Sequence, residues 1–317
     1  MGLMNIQHFA LQVPDLSIAK VFYDDFGLTT EYQNGKLICR CEGRDQIQVV
    51  LSEGKRKRLH YVSFGTTAAH LEGMRQRLAA RGVAFTSTVE GSDIEGLWFK
   101  DFDGMLTNVQ VADEAPWDEA ARVTFNAAEI RRVRTGRTAL MDEKPIKPRR
   151  LGHVVLFSTD PGRKVEFYND VFQLRLSDTV ASFLSFLHSG GGSDHHIVAF
   201  GKSTSYGLHH AGFDVATTDE VGAAARQMVN KGYIAGWGPG RHFVGSNTFA
   251  YVRDPWNSMH EYFSDMDFIH DGEHWEPQDW VHLGTRSIWG DSEPPDFAKN
   301  FETPELSPAS MTHADKP

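Results

Sequence analysis

Leu151-Gly152-His153-Val154-Val155-Leu156, with Lys164-Val165-Glu166-Phe167-Tyr168 shortly after it, decides how the chain is organised, because the pattern occurs twice. Near the start stands Ile6-Gln7-His8-Phe9-Ala10-Leu11, followed by Ala19-Lys20-Val21-Phe22-Tyr23. His8 to Tyr23 and His153 to Tyr168 are both steps of 15 residues. In each copy an apolar strand-like segment passes through Pro and Asp into a helical stretch with Phe-Tyr on one face. Self-similarity at this length marks a duplicated structural unit.

The copies keep matching further along. Leu59-His60-Tyr61-Val62-Ser63-Phe64 corresponds to His209-His210-Ala211-Gly212-Phe213, each a short strand before a helix. Those helices are expected over 68–82 and 219–232, each stopping at a glycine. Each copy closes with a strand, an Asp-containing turn and a second strand, running from Trp98 to Asn108 and from Tyr251 to Glu261. Each half reads as strand, helix, three strands, helix and paired strands. This predicts an α+β fold in which each half is a pair of βαβββ modules forming a curved mixed sheet. The expected domains are 1–112 and 151–270, with a charged connector at 113–150. The segment 271–317 holds six of the 13 prolines and reads as a tail that wraps the surface or caps an opening.

Composition excludes several functions. With 40% hydrophobic and 23% charged residues the chain is globular rather than disordered. Its 317 residues suit about two domains. The 42 acidic against 32 basic residues give a net charge of −10, which repels phosphate backbones and argues against nucleic acid. The basic run Lys55-Arg56-Lys57-Arg58 reads as a solvated turn. No apolar run reaches the length of a membrane span, and the start lacks the features of a signal peptide. Cys39 and Cys41 read as reduced strand residues rather than a metal site, so a soluble cytoplasmic protein is expected.

The chemistry lies in where the 15 histidines fall. At matching strand positions the second half carries His153, His210 and Glu261, and the first half carries His8, His60 and Asn108. Two imidazoles and a carboxylate on three strands can meet inside a curved sheet and leave adjacent positions open on a divalent metal, the arrangement associated with non-haem Fe(II) and oxygen chemistry. An amide such as Asn108 is a much weaker ligand, so the first site is expected to be a relic. A lone strand histidine is usually a hydrogen-bonded core residue. The case rests on three residues at equivalent repeat positions, complete in one half only. Near them, His195-His196 open an apolar segment, His242 follows Gly238-Pro239-Gly240-Arg241, and Tyr251 precedes Glu261 by ten residues. Histidines of near-neutral pKa and a tyrosine hydroxyl suit proton movement and hydrogen bonding to a bound oxygen.

From Leu151-Gly152-His153-Val154 through Phe186-Leu187-His188, His195-His196, His209-His210, Gly240-Arg241-His242, Tyr251 and Met259-His260-Glu261-Tyr262, the chain resembles the two-domain (type I) extradiol ring-cleaving catechol dioxygenases of the vicinal oxygen chelate superfamily. The resemblance spans roughly residues 5 to 270. It implies tandem vicinal-oxygen-chelate domains, the first metal-free and the second catalytic. The implied metal ligands are His153, His210 and Glu261, for Fe(II) or Mn(II). His196 is the implied acid/base, His242 and Tyr251 bind the catecholic oxygens, and Phe186 packs against the substrate ring. A one-residue shift would exchange these roles with His195 or His209. The implied reaction inserts both atoms of O2 into an aromatic diol beside its hydroxyls, in a protein that is usually a homo-oligomer. Alkylcatechols, biaryl diols and trihydroxylated rings remain open as substrates, and Trp237, Trp256 and the tail from Trp275 to Trp289 are candidates for choosing among them. The alternatives are a glyoxalase-like metal-dependent isomerase or lyase on the same fold, and a non-catalytic small-molecule binder.

Overall fold

The first half begins with β1 (Asn5–Val13), α1 (Leu16–Phe26), β2 (Thr29–Gln33), β3 (Lys36–Arg40) and β4 (Ile47–Glu53), a βαβββ module. The computed structural model describes residues 2–88, 94–112, 131, 133 and 145–303. Most of the expected connector and the prolines at 304, 308 and 317 therefore lie outside the described residues. A second module follows, with β5 (Arg58–Thr66), α2 (Ala68–Ala80), β6 (Leu97–Lys100) and β7 (Leu106–Val111). The two modules meet at the β1–β5 pair in a seven-stranded sheet ordered β2-β3-β4-β1-β5-β7-β6.

The second half repeats the plan with β8 (Arg150–Ser158), α3 (Pro161–Phe172), β9 (Leu174–Val180), β10 (Leu184–Ser189), a two-residue β11 (Ser193–Asp194) and β12 (Val198–Lys202). Its second module is β13 (Gly207–Asp214), α4 (Thr218–Asn230), β14 (Ala235–His242), β15 (Thr248–Arg253) and β16 (Met259–Ser264). Here three strands close the module where the sequence suggested a pair. The additional strand, β14, carries Gly236, Gly238, Pro239 and Gly240 and pairs with β15 through register shifts, so it shows no period-two pattern to read. The tail adds β17 (Phe268–Ile269), which pairs with β11, and both edges of the main sheet, β18 (Gln278–Asp279) and β19 (Ser287–Gly290). The order is β18-β9-β10-β12-β8-β13-β16-β15-β14-β19.

Local chemistry sets the helix ends. Asp15 accepts from the N–H groups of Ser17 and Ile18 at 2.7 and 3.2 Å, and α1 stops at Gly27 in the left-handed region at φ 100°. Asp160 caps α3 in the same way, with Pro161 in its first turn.

The first helix of each half packs across to the other half. In α1, Phe26 stacks on Tyr262 of β16 with ring centroids 4.1 Å apart, and the Tyr23 hydroxyl lies 2.9 Å from His260 Nε2. In α3, Phe167 and Phe172 pack on Phe99, Tyr168 packs on Phe64, and the buried Lys164 ammonium donates to Asp101. One continuous apolar core thus runs through both halves. Cys39 and Cys41 are buried in it and are not joined by a disulfide.

The basic run is a largely solvated bend, as its composition suggests, with Lys55 and Arg58 exposed, but Lys57 departs from it. Lys57 is 6% exposed and donates to Glu302 and Ser258, which joins the first half, the β15–β16 turn and the tail. A partner 245 residues away leaves no local signal in the sequence.

Candidate metal centre and substrate cavity

Three neighbouring strands bring the donors together. In the antiparallel β8–β13 pair His153 stands opposite Gly212, and in the parallel β13–β16 pair Gly212 stands opposite Glu261. His210 lies two residues from Gly212, so strand alternation puts it on the same face. Glu261 Oε2 is 2.9 Å from His153 Nε2 and 3.4 Å from His210 Nε2. Among the described residues these three are the only group of metal-type donors converging on one point, with all three donor atoms within 4.8 Å of one another.

Gly212 makes room for this arrangement, since a Cβ there would overlap the His153 imidazole. The sequence reading passed over it, although a glycine inside a strand two residues after a ligand is a sign of close approach. Asn247, also missed, donates from Nδ2 to Glu261 Oε1 at 3.0 Å. It follows an irregular loop and has no counterpart pattern in the first half.

The other candidates face the same space. His153, Phe186, His196, His210, His242, Tyr251 and Glu261 all line a single cavity. The His196 ring lies 4.4 Å from that of His153 and edge-on to Phe186 at 4.9 Å. His242 donates from Nδ1 to the Arg286 carbonyl at 3.2 Å, which leaves its Nε2 to accept from the Tyr251 hydroxyl at 2.9 Å. Val155, Phe183, Leu184, Trp237, Val244 and Phe297 make the remaining walls largely apolar. Of the aromatic residues considered for selectivity, Trp237 lines the cavity, Trp256 packs on the core, and Trp275 touches His195. From the tail it is Arg286, Phe297 and Ala298 that reach the cavity, in a segment with no periodic pattern to single them out.

The adjacent histidines are distinguished by geometry. His195 turns away from the cavity to Asp178, at 2.9 Å. His209 stands behind His210, with their Nδ1 atoms 2.7 Å apart, and does not belong to the donor group.

Burial governs the charges. It pushes the imidazoles of His196 and His210 below their usual range, and takes His242 down to about 4, so these rings are neutral and able to offer lone pairs. Burial alone would raise the Glu261 carboxyl, but hydrogen bonds from His153 and His210 outweigh it and hold it below the usual carboxylate range. The phenol of Tyr251 is pushed well up by burial and by Glu261, which keeps its proton in place as a donor.

In the first half one assignment changes. His8 faces Tyr61, not His60: β1 sets Ala10 opposite Tyr61, just as β8 sets Val155 opposite His210. His60 lies one residue off, and the period of two turns it to the other face of the strand. His8 Nε2 is 3.3 Å from the Tyr61 hydroxyl, and Asn108 accepts from Ser63 at 2.6 Å, so the equivalent space is closed by its own hydrogen bonds.

Comparison with known proteins agrees with the fold. Residues 150–262 match the family model of the glyoxalase/bleomycin resistance protein/dioxygenase superfamily. The chain is 39% identical to metapyrocatechase 2 of Cupriavidus necator over 94% of its own length and 92% of that protein's. It is 28% identical to an iron-dependent extradiol dioxygenase of Rhodococcus jostii (strain RHA1), covering 77% of this chain and 81% of that one. The Mn(II)-bound glyoxalase from Novosphingobium aromaticivorans shares the fold, with a TM-score of 0.74 at 23% identity over 92% of this chain and 93% of that one. The chain belongs to the glyoxalase/bleomycin resistance protein/dioxygenase superfamily. Within it, the chain is a member of the extradiol ring-cleaving dioxygenases.

Proposed function

We propose that the protein cleaves catechol-type aromatic diols beside their hydroxyl groups, placing both atoms of O2 in the product. The observation that carries this is the convergence of His153, His210 and Glu261 in the wall of a largely apolar cavity that His196, His242 and Tyr251 also line. Two imidazoles and a carboxylate on one side fit a divalent ion with free coordination positions, Fe(II) by preference and Mn(II) as the alternative. Iron in the name of the Rhodococcus relative supports that preference. When bound, such an ion supplies joint attachment of the diol and O2 and a path for electrons between them.

The chain's own residues do the rest. Phe186 and Val155 offer a flat apolar surface to an aromatic ring and exclude water from it. Tyr251 and His242 form a hydrogen-bonded pair at the edge of the cavity, placed to hold a diol oxygen. His196 stands on the other side of His153 as the group that takes a proton from the diol and returns one as the ring opens. A catechol and O2 together contain every atom of the ring-opened hydroxy-semialdehyde, so no further reductant is needed.

A glyoxalase-like isomerase would use a metal on the same fold without consuming O2. The donor group contains one carboxylate, and Asn108 occupies the place of Glu261 in the other half, which disfavours that reading. A binding protein has no use for the acid/base histidines. Oxygen uptake by Fe(II)-loaded protein with a panel of catechols tests all three. One yellow product per O2 consumed is expected; metal-loaded protein that consumes no O2 with any diol would overturn the proposal.

Two further points belong to this reading. Among the described residues no helix is long and apolar enough to cross a membrane, and the buried, unbridged Cys39 and Cys41 suit a cytoplasmic protein. Exposed Ile288 and Trp289 on the outer strand β19 support a homo-oligomer, which sedimentation would detect.

A further inference from the structure

We infer that Asp178 and His195 are positioning residues that fix the ring proton of His196 on Nδ1, so that His196 presents a bare Nε2 to the cavity. The inference deepens the ring-cleavage reading and rests on it for its consequence, since a diol that is to be bound must lose a proton to some lone pair.

The hydrogen bonds form a chain with one consistent direction. Asp178 of β9 is buried, and its Oδ1 accepts from the backbone N–H of Gln278 at 2.7 Å. Its Oδ2 lies 2.9 Å from His195 Nε2. A carboxylate oxygen accepts, so His195 carries a proton on Nε2, and a ring protonated there alone has a lone pair on Nδ1. That lone pair is 3.1 Å from His196 Nδ1. The proton between them therefore belongs to His196, and Nε2 of His196 is left without one. This second-layer carboxylate–histidine arrangement is a general way of setting which nitrogen of an imidazole is available.

The frame around the chain is rigid. His195 is fully buried; its N–H donates to the Asp267 carbonyl at 2.7 Å and its carbonyl accepts from the Ser177 hydroxyl at 2.5 Å. Trp275 packs edge-on to the His195 ring and donates its indole N–H to the Ser177 carbonyl at 2.8 Å. Gln278 and Trp275 are tail residues, so the tail supports this relay as well as lining the cavity. At the neighbouring pair His209 bonds to the backbone of Phe297, and its Nδ1 lies 2.7 Å from Nδ1 of His210.

The test is the ring nitrogen spectrum of 15N-histidine-labelled, metal-free protein, with the His196 signals assigned by their loss in His196→Phe. A protonated Nδ1 and an unprotonated Nε2 are expected for His196. In Asp178→Asn the Gln278 N–H keeps the amide oxygen, the amide NH2 turns to His195, and the protons of both rings are driven to the opposite nitrogens. His195→Phe removes the acceptor altogether, and the preference for Nδ1–H should disappear. In Fe(II)-loaded protein with 3-methylcatechol, both variants should lower kcat about 10- to 100-fold with KM little changed. An Nε2–H on His196 in the native protein overturns the inference, as does a native nitrogen pattern together with native kcat in both variants. The nitrogen readout needs no turnover. A native protein inactive on every diol but carrying Nδ1–H would sink ring cleavage and leave the relay standing.

Discussion

Gly212 stands level with His153 across the β8–β13 pair and has no side chain, and the His153 imidazole occupies the space that any Cβ there would take. The corresponding residue of the first half is Ser63, whose hydroxyl donates to Asn108. Gly212→Ala should therefore displace His153 without disturbing the sheet pairing on either side. Bound iron measured after anaerobic loading should fall, and activity should drop about 10- to 100-fold, as when a residue supporting a ligand is lost. Full metal content in the variant would show that the ring has another place to go.

Ligand and acid/base roles separate by different readouts. Glu261→Ala removes the one negative charge of the donor group and should abolish both iron retention and oxygen uptake. His196→Phe should keep the iron and lower kcat by about 10² to 10⁴-fold, the usual contribution of a positioned acid or base. Unchanged turnover in His196→Phe would remove it from the mechanism.

What could be read from sequence followed the duplication. Two matched strand–helix units located β1 and β8, and the completeness of one polar set picked out His153, His210 and Glu261 before any geometry was known. The reading fails over strand faces, and where no comparison between halves is available. His60 was paired with His210 because a dipeptide alignment ignores which strand face a residue takes, and the β-ladder gives that place to Tyr61. Arg286 and Phe297 reach the cavity from a tail without periodicity, and Asp178 and Lys57 act through partners far along the chain.

His8 gives a stability signature in pH. Burial lowers its imidazole to about 3 from the ordinary 6.5. Below pH 6.5 the unfolded chain therefore binds a proton that the folded chain does not, and stability must fall with decreasing pH from about 6.5 down to about 3. Between pH 8 and pH 5 this one group should cost about 2 kcal/mol. His8→Gln keeps a polar contact for Tyr61 but cannot titrate, so urea unfolding at the two pH values should show a smaller difference than in the native protein by that amount. An unchanged difference would mean that His8 is protonated in the fold.

Lys164 tests how the halves are joined. Its ammonium is wholly buried in α3 and pairs with Asp101 and, at 3.3 Å, Asp103, both in the turn between β6 and β7 of the other half. Lys164→Met fills the space but leaves two buried carboxylates without their cation, and should cost about 3–5 kcal/mol in urea unfolding. Adding Asp101→Leu to Lys164→Met should recover part of that loss, because the cost lies in the stranded charge rather than in the missing contact. A single variant as stable as the native protein would mean that α3 is held by Phe167, Tyr168 and Phe172 alone.

Phe297 is the tail residue best placed to select among diols. Its ring packs on His209 at 4.8 Å, Trp237 at 4.9 Å and Tyr251 at 5.2 Å, so it closes the cavity beside the pair that would hold a diol oxygen. Removing it opens space without touching the metal donors, since none of His153, His210 and Glu261 packs on its ring. Phe297→Ala should thus retain iron and shift preference toward larger substrates. An apolar contact of a few methylene equivalents is worth about 10- to 200-fold in relative kcat/KM, and the ratio for a biaryl diol over 3-methylcatechol should rise within that range. If instead both substrates lose activity equally, the ring holds Tyr251 and His209 in position and does not shape the pocket. In that case the selectivity must come from the opposite wall, where Phe183, Leu184 and Phe186 face the same space.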